Sequence, residues 1–127
     1  MGSGYVGLVA AACFAEAGHR VVGVDVDSGK VASLKDGHCP IFEPGLEALL
    51  QKHLASGRLS FTTELRDGIA DADAAFICVG TPQSEDGSAD LKYVLTVAEQ
   101  LGKAMALRPA GAPPLLIVDK STVPVGT

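Results

Sequence analysis

Short apolar runs alternate along the chain with longer stretches in which apolar residues recur every three or four positions. Continuous apolar runs of about four to eight residues indicate buried strands, and the three-to-four spacing indicates amphipathic helices. The predicted strands are 20–25, 59–62, 74–79 and 115–119. The predicted helices are 5–17, 30–35, 46–56, a short turn around 65–69, and a long segment that ends near 107. This alternation is typical of a doubly wound α/β domain built on a parallel sheet.

Residues at the junctions predict where the helices begin and end. Glycines that can end a helix in the left-handed conformation follow three of them, at Gly18, Gly37 and Gly57. Side chains able to cap a helix precede three of them, at Asp27 or Ser28, at Thr63 and at Asp90. The long helix after Asp90 is expected to turn an apolar face inward, formed by Val94, Val97, Ala98, Leu101 and Met105.

Length and charge limit the classes of function. A chain of 127 residues suits one domain rather than two. Its net charge is −5 and its basic residues are scattered, which argues against a nucleic-acid partner and against a basic membrane-binding surface. The apolar start of the chain has no Lys or Arg before it, and the position that a myristoylation motif gives to Ser or Thr holds Val6, so no targeting signal is predicted.

The cysteines and histidines do not form a recognisable reactive or metal-binding pattern. Cys13, Cys39 and Cys78 are odd in number and lack metal-ligand spacing, which predicts no metal site and fits a reducing, cytoplasmic location. Cys13 and Cys78 lie in apolar segments and are expected to be inert core thiols, whereas Cys39 lies in a loop. The three histidines are expected at the surface.

A glycine pattern at the start of the first helix points to a nucleotide. Gly2, Gly4 and Gly7 fit G-x-G-x-x-G, in which the glycines allow a tight turn, close approach of backbone amides to a pyrophosphate, and close packing of helix on strand. Asp25 ends the next strand, 18 positions beyond Gly7, near the roughly 20 expected for an acid that binds ribose hydroxyls. An acid there favours NAD over NADP. Packing glycines and a solvated aspartate remain an alternative.

The strand that should precede this glycine pattern is not evident, because only Met1 stands before it. In the Rossmann order 3-2-1-4-5-6 that strand is central and paired on both sides. The sheet is therefore expected to lack its first strand. We expect residues 1–127 alone to be marginally stable, or another segment to fill the gap between the strands at 21–25 and 74–79.

Two further loops could reach a ligand at the carboxyl ends of strands. Thr81 follows the strand at 74–79, and Thr122 follows the last strand. Ligands of open α/β sheets bind at this edge, so both hydroxyls are candidates for cofactor contacts. Ordinary turn chemistry is an equally good explanation, in which Thr81 and Ser121 satisfy loop amides while Pro82 and Pro124 end the strands.

Several longer strings together resemble a known family. They are GSGYVGL at 2–8, VDVD at 24–27, PIFEPGL at 40–46, GTP at 80–82, DGSADL at 86–91 and KSTVPVGT at 120–127. In this order they are similar to the amino-terminal, NAD-binding domain of the UDP-glucose/GDP-mannose dehydrogenase family. They are most like the branch that oxidises UDP-glucose to UDP-glucuronate. The similarity extends over essentially all 127 residues.

The resemblance implies a cofactor and a set of cofactor-binding residues. The family uses two NAD to oxidise C6 of a nucleotide sugar through a thiohemiacetal on a cysteine. Its NAD contacts fall here on a set of turn, strand-end and loop residues: Gly2, Gly4, Tyr5, Val6, Gly7, Asp25, Lys30, Thr81 and Thr122. The two threonines match residues that border the nicotinamide.

The resemblance also implies what residues 1–127 do not carry. The family's nucleophilic cysteine lies in a G-x-C-x-P-K-D-like segment, which this sequence does not contain, so no catalytic residue is expected here. Other parts of the family's enzymes would also lie outside residues 1–127. They are the substrate contacts, the central helix that pairs subunits into a homodimer or larger oligomer, and the remaining domains. Residues 1–127 are thus expected to be an inactive NAD-binding fragment. The GDP-mannose branch, another nucleotide-sugar dehydrogenase, and a truncated, non-enzymatic remnant remain alternatives.

Overall fold

The computed structural model describes residues 1–127, and it confirms the predicted alternation of helices and strands. The helices are α1 (Tyr5–Glu16), α2 (Ser28–Lys35), α3 (Leu46–Ser56), α4 (Leu65–Ile69) and α5 (Lys92–Ala106). The strands are β1 (Val21–Val24), β2 (Leu59–Thr62), β3 (Ala74–Ile77) and β4 (Leu116–Asp119). No helix is both long and apolar enough to cross a membrane.

The helix ends follow local chemistry, with two corrections to the predicted caps. Asp27 caps α2, since its Oδ1 accepts the Lys30 N–H at 3.0 Å. Thr63 does not cap α4, which begins after Glu64 and has no side-chain cap. Asp90 lies one position before the N-cap of α5, although its carboxylate still accepts the Lys92 N–H at 2.9 Å.

The strands form two parallel pairs, separated by a cleft. β1 pairs with β2, with Val21 opposite Leu59, and β3 pairs with β4, with Ala74 opposite Leu116. The facing edges of β1 and β3 are not paired with each other. A cleft of about 760 Å³ lies between them, lined by residues of both strands and of α1 and α4. This is the place that the doubly wound order gives to a central strand.

The first two residues tie the two strand pairs together at one end of this cleft. The Met1 nitrogen donates to the Phe76 carbonyl at 2.8 Å, and the Cys78 N–H donates to the Met1 carbonyl at 2.7 Å. On the other side, the Gly2 N–H donates to the Val24 carbonyl at 2.9 Å. Met1 and Gly2 therefore hold the carboxyl ends of β1 and β3 at a fixed separation, and this places the glycine turn between them.

Each strand pair has its own apolar core. The larger core packs α1, α2 and α3 against β1 and β2, with Leu8, Leu34 and Leu50 fully buried. The smaller packs α4 and α5 against β3, around Ile69, Ile77 and Leu101. The inward face of α5 differs from the prediction in one residue, since Ala98 is exposed while Ala104 is buried.

Two side chains lie in environments opposite to those predicted. Cys13 is exposed on α1 rather than buried. His53 is buried, at 4% exposure, rather than at the surface. It is buried because its Nε2 faces the Glu16 carboxylate at 2.5 Å, where Lys52 also donates. A polar partner supplied by another helix cannot be read from the α3 sequence.

Candidate nucleotide site

A second cleft, of about 550 Å³, lies at the carboxyl ends of β1 and β3. Its volume is within the range of about 300–1,000 Å³ that is usual for small-molecule sites. The glycine turn forms its floor, and one wall is formed by Asp25 and Val26 from the loop after β1 and by Lys30 from α2. Residues Val79–Gly80 and the start of α5 form the opposite wall. Ligands of α/β sheets bind at this edge.

Two glycines of the turn, Gly2 and Gly7, are required by close backbone packing. Gly2 has φ +88°, and a Cβ there would clash with the Cys78 carbonyl. A Cβ on Gly7 would overlap the Gly2 carbonyl oxygen. By contrast, a Cβ on Gly4 would meet nothing within 4 Å. Gly2 and Gly7 thus serve the fold, while Gly4 leaves open the space in front of the α1 amides.

The start of α1 is suited to an anion. Its N-cap is Gly4, which supplies no side chain to the first amides of the helix, and the first turn has no acidic residue. Free amides and the helix dipole favour a negative group at this position. A phosphate that enters from the cleft would face both the free amides and the positive end of the helix dipole.

Asp25 is the most constrained ionisable side chain of the cleft. Its Oδ2 accepts the Ser3 hydroxyl at 2.5 Å and the Ser3 N–H at 2.8 Å, and its Oδ1 accepts the Asp27 N–H at 3.0 Å. The Lys30 Nζ lies 3.6 Å from Oδ2. The Asp25 side chain is only 10% exposed. A nearly buried carboxylate is thereby fixed at the mouth of the glycine turn.

The hydrogen bonds decide the charge of this carboxylate. Burial by itself would raise the pKa of Asp25, but the bonds from the Ser3 hydroxyl, the Asp27 N–H and the Ser3 N–H, with the Lys30 charge, together lower that pKa. Asp25 is therefore ionised near neutral pH, and both of its carboxylate oxygens act as hydrogen-bond acceptors.

A pH-dependent contribution to stability follows from the lowered pKa. An aspartate with a lowered folded pKa stabilises the fold above its unfolded pKa of about 3.9, and the stabilisation is lost as the pH falls through the folded value. We expect Asp25→Asn to cost about 1–2 kcal/mol in the free energy of unfolding at pH 7 and less near pH 3. Urea unfolding of both proteins at the two pH values measures this. A difference that is unchanged at pH 3 would contradict it.

The structure brings together only some of the predicted cofactor residues. Gly2, Gly4, Asp25 and Lys30 line the cleft. The other five predicted residues, Tyr5, Val6, Gly7, Thr81 and Thr122, do not line it. Gly7 faces the cleft between the strand pairs.

The predicted residues outside the cleft have other neighbours. Tyr5 and Val6 are exposed on the first turn of α1, where the Tyr5 hydroxyl donates to the Glu43 carboxylate at 3.3 Å. In the last loop it is Ser121, rather than Thr122, that makes an inter-strand bond, since its Oγ accepts the Val79 N–H at 3.1 Å. Thr122 itself is exposed.

Sequence reasoning missed the contribution of α5 and of Ser3. Lys92, Tyr93, Thr96 and Gln100 line the cleft from α5. Lys92, Thr96 and Gln100 are spaced four residues apart, which places them on one face of the helix. This spacing is visible in the sequence. The bond from Ser3 to Asp25 spans 22 positions and has no sequence signal.

The thiols show no sign of activation. Burial raises the pKa of the Cys78 thiol, so its reactive thiolate form is disfavoured. Cys39 is half-buried and donates to the Ile41 carbonyl at 3.1 Å. No group of three or more His, Cys, Asp or Glu side chains is placed to hold a metal ion. The groups at this edge that can bind a ligand are the free amides at the start of α1 and the Asp25 carboxylate.

Comparison with known proteins agrees with this geometry. The model of the UDP-glucose/GDP-mannose dehydrogenase family, NAD binding domain, matches residues 1–127. A UDP-glucose 6-dehydrogenase of Pseudomonas aeruginosa is 57% identical over 127 residues, which are 100% of this chain and 27% of that protein. The chain thus spans about a quarter of the length of such relatives.

Solved structures show the same fold. A UDP-glucose dehydrogenase from Pyrobaculum islandicum superposes with a TM-score of 0.91 at 50% identity, covering 99% of this chain and 28% of that one. A ternary complex of GDP-mannose dehydrogenase from Pseudomonas aeruginosa superposes with a TM-score of 0.93 at 46% identity, again covering 99% and 28%. Together with the cleft, these findings place the chain in the UDP-glucose/GDP-mannose dehydrogenase family of oxidoreductases, as its NAD-binding domain, with NAD as the cofactor.

Proposed function

We propose that the chain binds the ADP-ribose half of NAD in the cleft at the carboxyl ends of β1 and β3. The observation that carries this is the ionised, nearly buried Asp25 carboxylate beside an open helix N-terminus. The Asp25 carboxylate accepts hydrogen bonds from ribose hydroxyls, and the amides of the glycine turn face the pyrophosphate. Lys30, whose Nζ lies 3.6 Å from Asp25, adds positive charge at the same wall.

We further propose that the nicotinamide half extends toward the loops after β3 and β4. Thr81 follows β3, and Thr122 follows β4, at the edge to which the glycine turn also belongs. Tyr5 and Val6 are exposed at the first turn of α1, and we assign them to the pyrophosphate. Thr81 and Thr122 contact the cofactor beyond the ADP-ribose cleft.

The whole protein to which we assign this domain is a UDP-glucose 6-dehydrogenase, which oxidises UDP-glucose to UDP-glucuronate with two NAD. When bound, NAD acts as the hydride acceptor. The assignment of this branch rests on relatives named UDP-glucose 6-dehydrogenase at 57% and 51% identity. The nucleotide sugar would be bound chiefly by residues outside 1–127.

Residues 1–127 alone supply cofactor binding without a nucleophile. Cys13 is exposed on α1, Cys39 bonds to a loop carbonyl, and Cys78 has a raised pKa because it is buried. The positive charges of the Met1 ammonium and Lys120 near Cys78 do not offset the effect of its burial, so the pKa of this thiol stays above its ordinary value and the thiol is not activated. We therefore expect the 127-residue polypeptide to bind NAD and to oxidise no nucleotide sugar.

A GDP-mannose 6-dehydrogenase is the second candidate. A protein of that name from Pseudomonas aeruginosa is 47% identical over 126 residues, and the ternary complex named above superposes well. Offering the protein at its full natural length UDP-glucose and GDP-mannose separately, and following NADH at 340 nm, separates the two. Turnover of GDP-mannose alone would overturn the UDP-glucose assignment.

Titration with NAD tests the binding proposal directly. We expect Asp25→Ala to weaken NAD binding by about 30-fold, since the charge-assisted hydrogen bond from a ribose hydroxyl to the carboxylate is lost. Asp36→Ala is the matched control, because Asp36 ends α2 and lies outside the cleft. Calorimetry on the protein at its full natural length gives the affinities. Equal affinity of wild type and Asp25→Ala would remove the assigned ribose contact, and no binding by either would favour a non-enzymatic remnant.

A further inference from the structure

The hydroxyl of Ser3 occupies an unusual place in the cleft. Ser3 is 3% exposed, and both of its donors, the hydroxyl at 2.5 Å and the backbone N–H at 2.8 Å, bind the same oxygen of Asp25. A turn at this position requires only a small residue, and alanine would meet that need. The hydroxyl therefore needs an explanation other than packing.

The two Ser3 bonds leave the carboxylate of Asp25 asymmetric. Oδ2 accepts two hydrogen bonds and faces Lys30 at 3.6 Å, whereas Oδ1 accepts one bond, from the Asp27 N–H at 3.0 Å. A carboxylate oxygen can accept about two hydrogen bonds, so Oδ1 keeps capacity for one more donor. Without the hydroxyl, the carboxylate could rotate toward the Lys30 ammonium and close a direct ion pair.

We propose that Ser3 is a positioning residue that sets the selectivity of the cleft for nucleotides with a free ribose 2′-hydroxyl. By holding Oδ2, it keeps Oδ1 directed to a ribose hydroxyl and prevents Asp25 from pairing fully with Lys30. The fixed negative charge repels a nucleotide with a 2′-phosphate. This inference rests on the proposed ribose contact of Asp25 and adds a residue that acts through it.

The protonation of Asp25 depends on the same bond. Burial alone raises the pKa of this carboxyl, and the Ser3 hydroxyl is foremost among the groups that bring the pKa below its ordinary value. Removing the hydroxyl therefore has two effects on binding. It loosens the orientation of the acceptor, and it moves the loss of negative charge to a higher pH.

A double-mutant cycle tests the proposal in the protein at its full natural length. NAD and NADP affinities are measured by calorimetry for wild type, Ser3→Ala, Asp25→Asn and the double variant, with thermal melts to verify folding. We expect Ser3→Ala to weaken NAD binding by about 10-fold, the effect of one charge-assisted bond. We expect little change for NADP, and no further loss of NAD binding when Ser3→Ala is added to Asp25→Asn.

A pH profile and a conservative variant separate positioning from structural support. In Ser3→Ala the acid limb of NAD binding should move to higher pH, because the Ser3 hydroxyl no longer lowers the pKa of Asp25. Ser3→Thr, which keeps a hydroxyl, should restore much of the selectivity for NAD over NADP.

Four results would overturn the proposal. An equal loss in the Asp25→Asn background, or an equal loss for NAD and NADP, would make Ser3 a structural residue only. Wild-type NAD affinity in Ser3→Ala, with weakened binding in Asp25→Asn, would remove the role of Ser3 and leave the ribose contact intact. Wild-type affinity in Asp25→Asn would overturn the ribose contact itself.

Discussion

A polypeptide of residues 1–127 is expected to melt at low temperature and with little cooperativity, and an added apolar strand should raise its Tm by about 15 °C or more. The reason is the cleft of about 760 Å³ between β1 and β3, whose facing edges are unpaired. Filling it buries about five apolar side chains, at about 1.5–3 kcal/mol each. That sum is comparable with the whole stability of a typical domain, about 5–15 kcal/mol.

The test compares three polypeptides by circular dichroism and calorimetry. The first is residues 1–127, and the second carries about five valine and isoleucine residues joined before Met1, enough to span the strands of four residues on either side. The third carries a glycine–serine extension of the same length, which controls for added chain. A cooperative, high-temperature melt of monomeric residues 1–127 alone would contradict the expected gap in the sheet.

The second large effect is expected from Gly7→Ala. Its Cβ would overlap the Gly2 carbonyl oxygen, and neither backbone segment can move freely, because Gly2 is bonded to Val24 and Met1 to Cys78. We expect a loss of about 3 kcal/mol in the free energy of unfolding, as for an overpacked core. NAD binding should fall by about 100-fold or more as the turn opens, which corresponds to about 2.7 kcal/mol.

Gly4→Ala and Gly102→Ala are the controls for this variant. A Cβ on either residue meets nothing within 4 Å. Gly102→Ala should leave NAD binding unchanged and stabilise α5 by up to about 1 kcal/mol. Gly4→Ala should keep the stability and still weaken NAD binding, because its Cβ would occupy open space at the N-cap of α1, where we propose that the pyrophosphate binds. Urea unfolding and NAD titration report both quantities. Equal stability of Gly7→Ala and Gly4→Ala would contradict the assigned division between fold and binding.

Sequence predicted the elements well because periodicity and glycine placement are local signals. β2 matches its predicted bounds, and the glycines at positions 37 and 57 adopt positive φ after α2 and α3. The errors arose where partners lie far apart in the chain. His53 is buried because Glu16, 37 positions away, faces it. Cys13 is exposed because α1 turns other residues, such as Leu8 and Ala12, toward its core.

The candidate site was predictable only in part, for the same reason. The glycine turn and Asp25 belong to a motif with fixed spacing, and both line the cleft. The α5 wall follows from packing of that helix beside β3, which no local pattern reports. Ser3 was hidden for a different reason, since the glycine motif does not specify the residue at this position and only the fold shows its bonds to Asp25.

A crystal structure of the protein at its full natural length with NAD bound would test the central claim most directly. The claim is that the Asp25 carboxylate binds the adenosine ribose in the cleft lined by the glycine turn and α5. We predict a ribose hydroxyl within about 2.5–3.0 Å of an Asp25 carboxylate oxygen, with the pyrophosphate against the first amides of α1. Adenosine bound elsewhere, or bound in this cleft with Asp25 contacting only Ser3, Asp27 and Lys30, would contradict the claim.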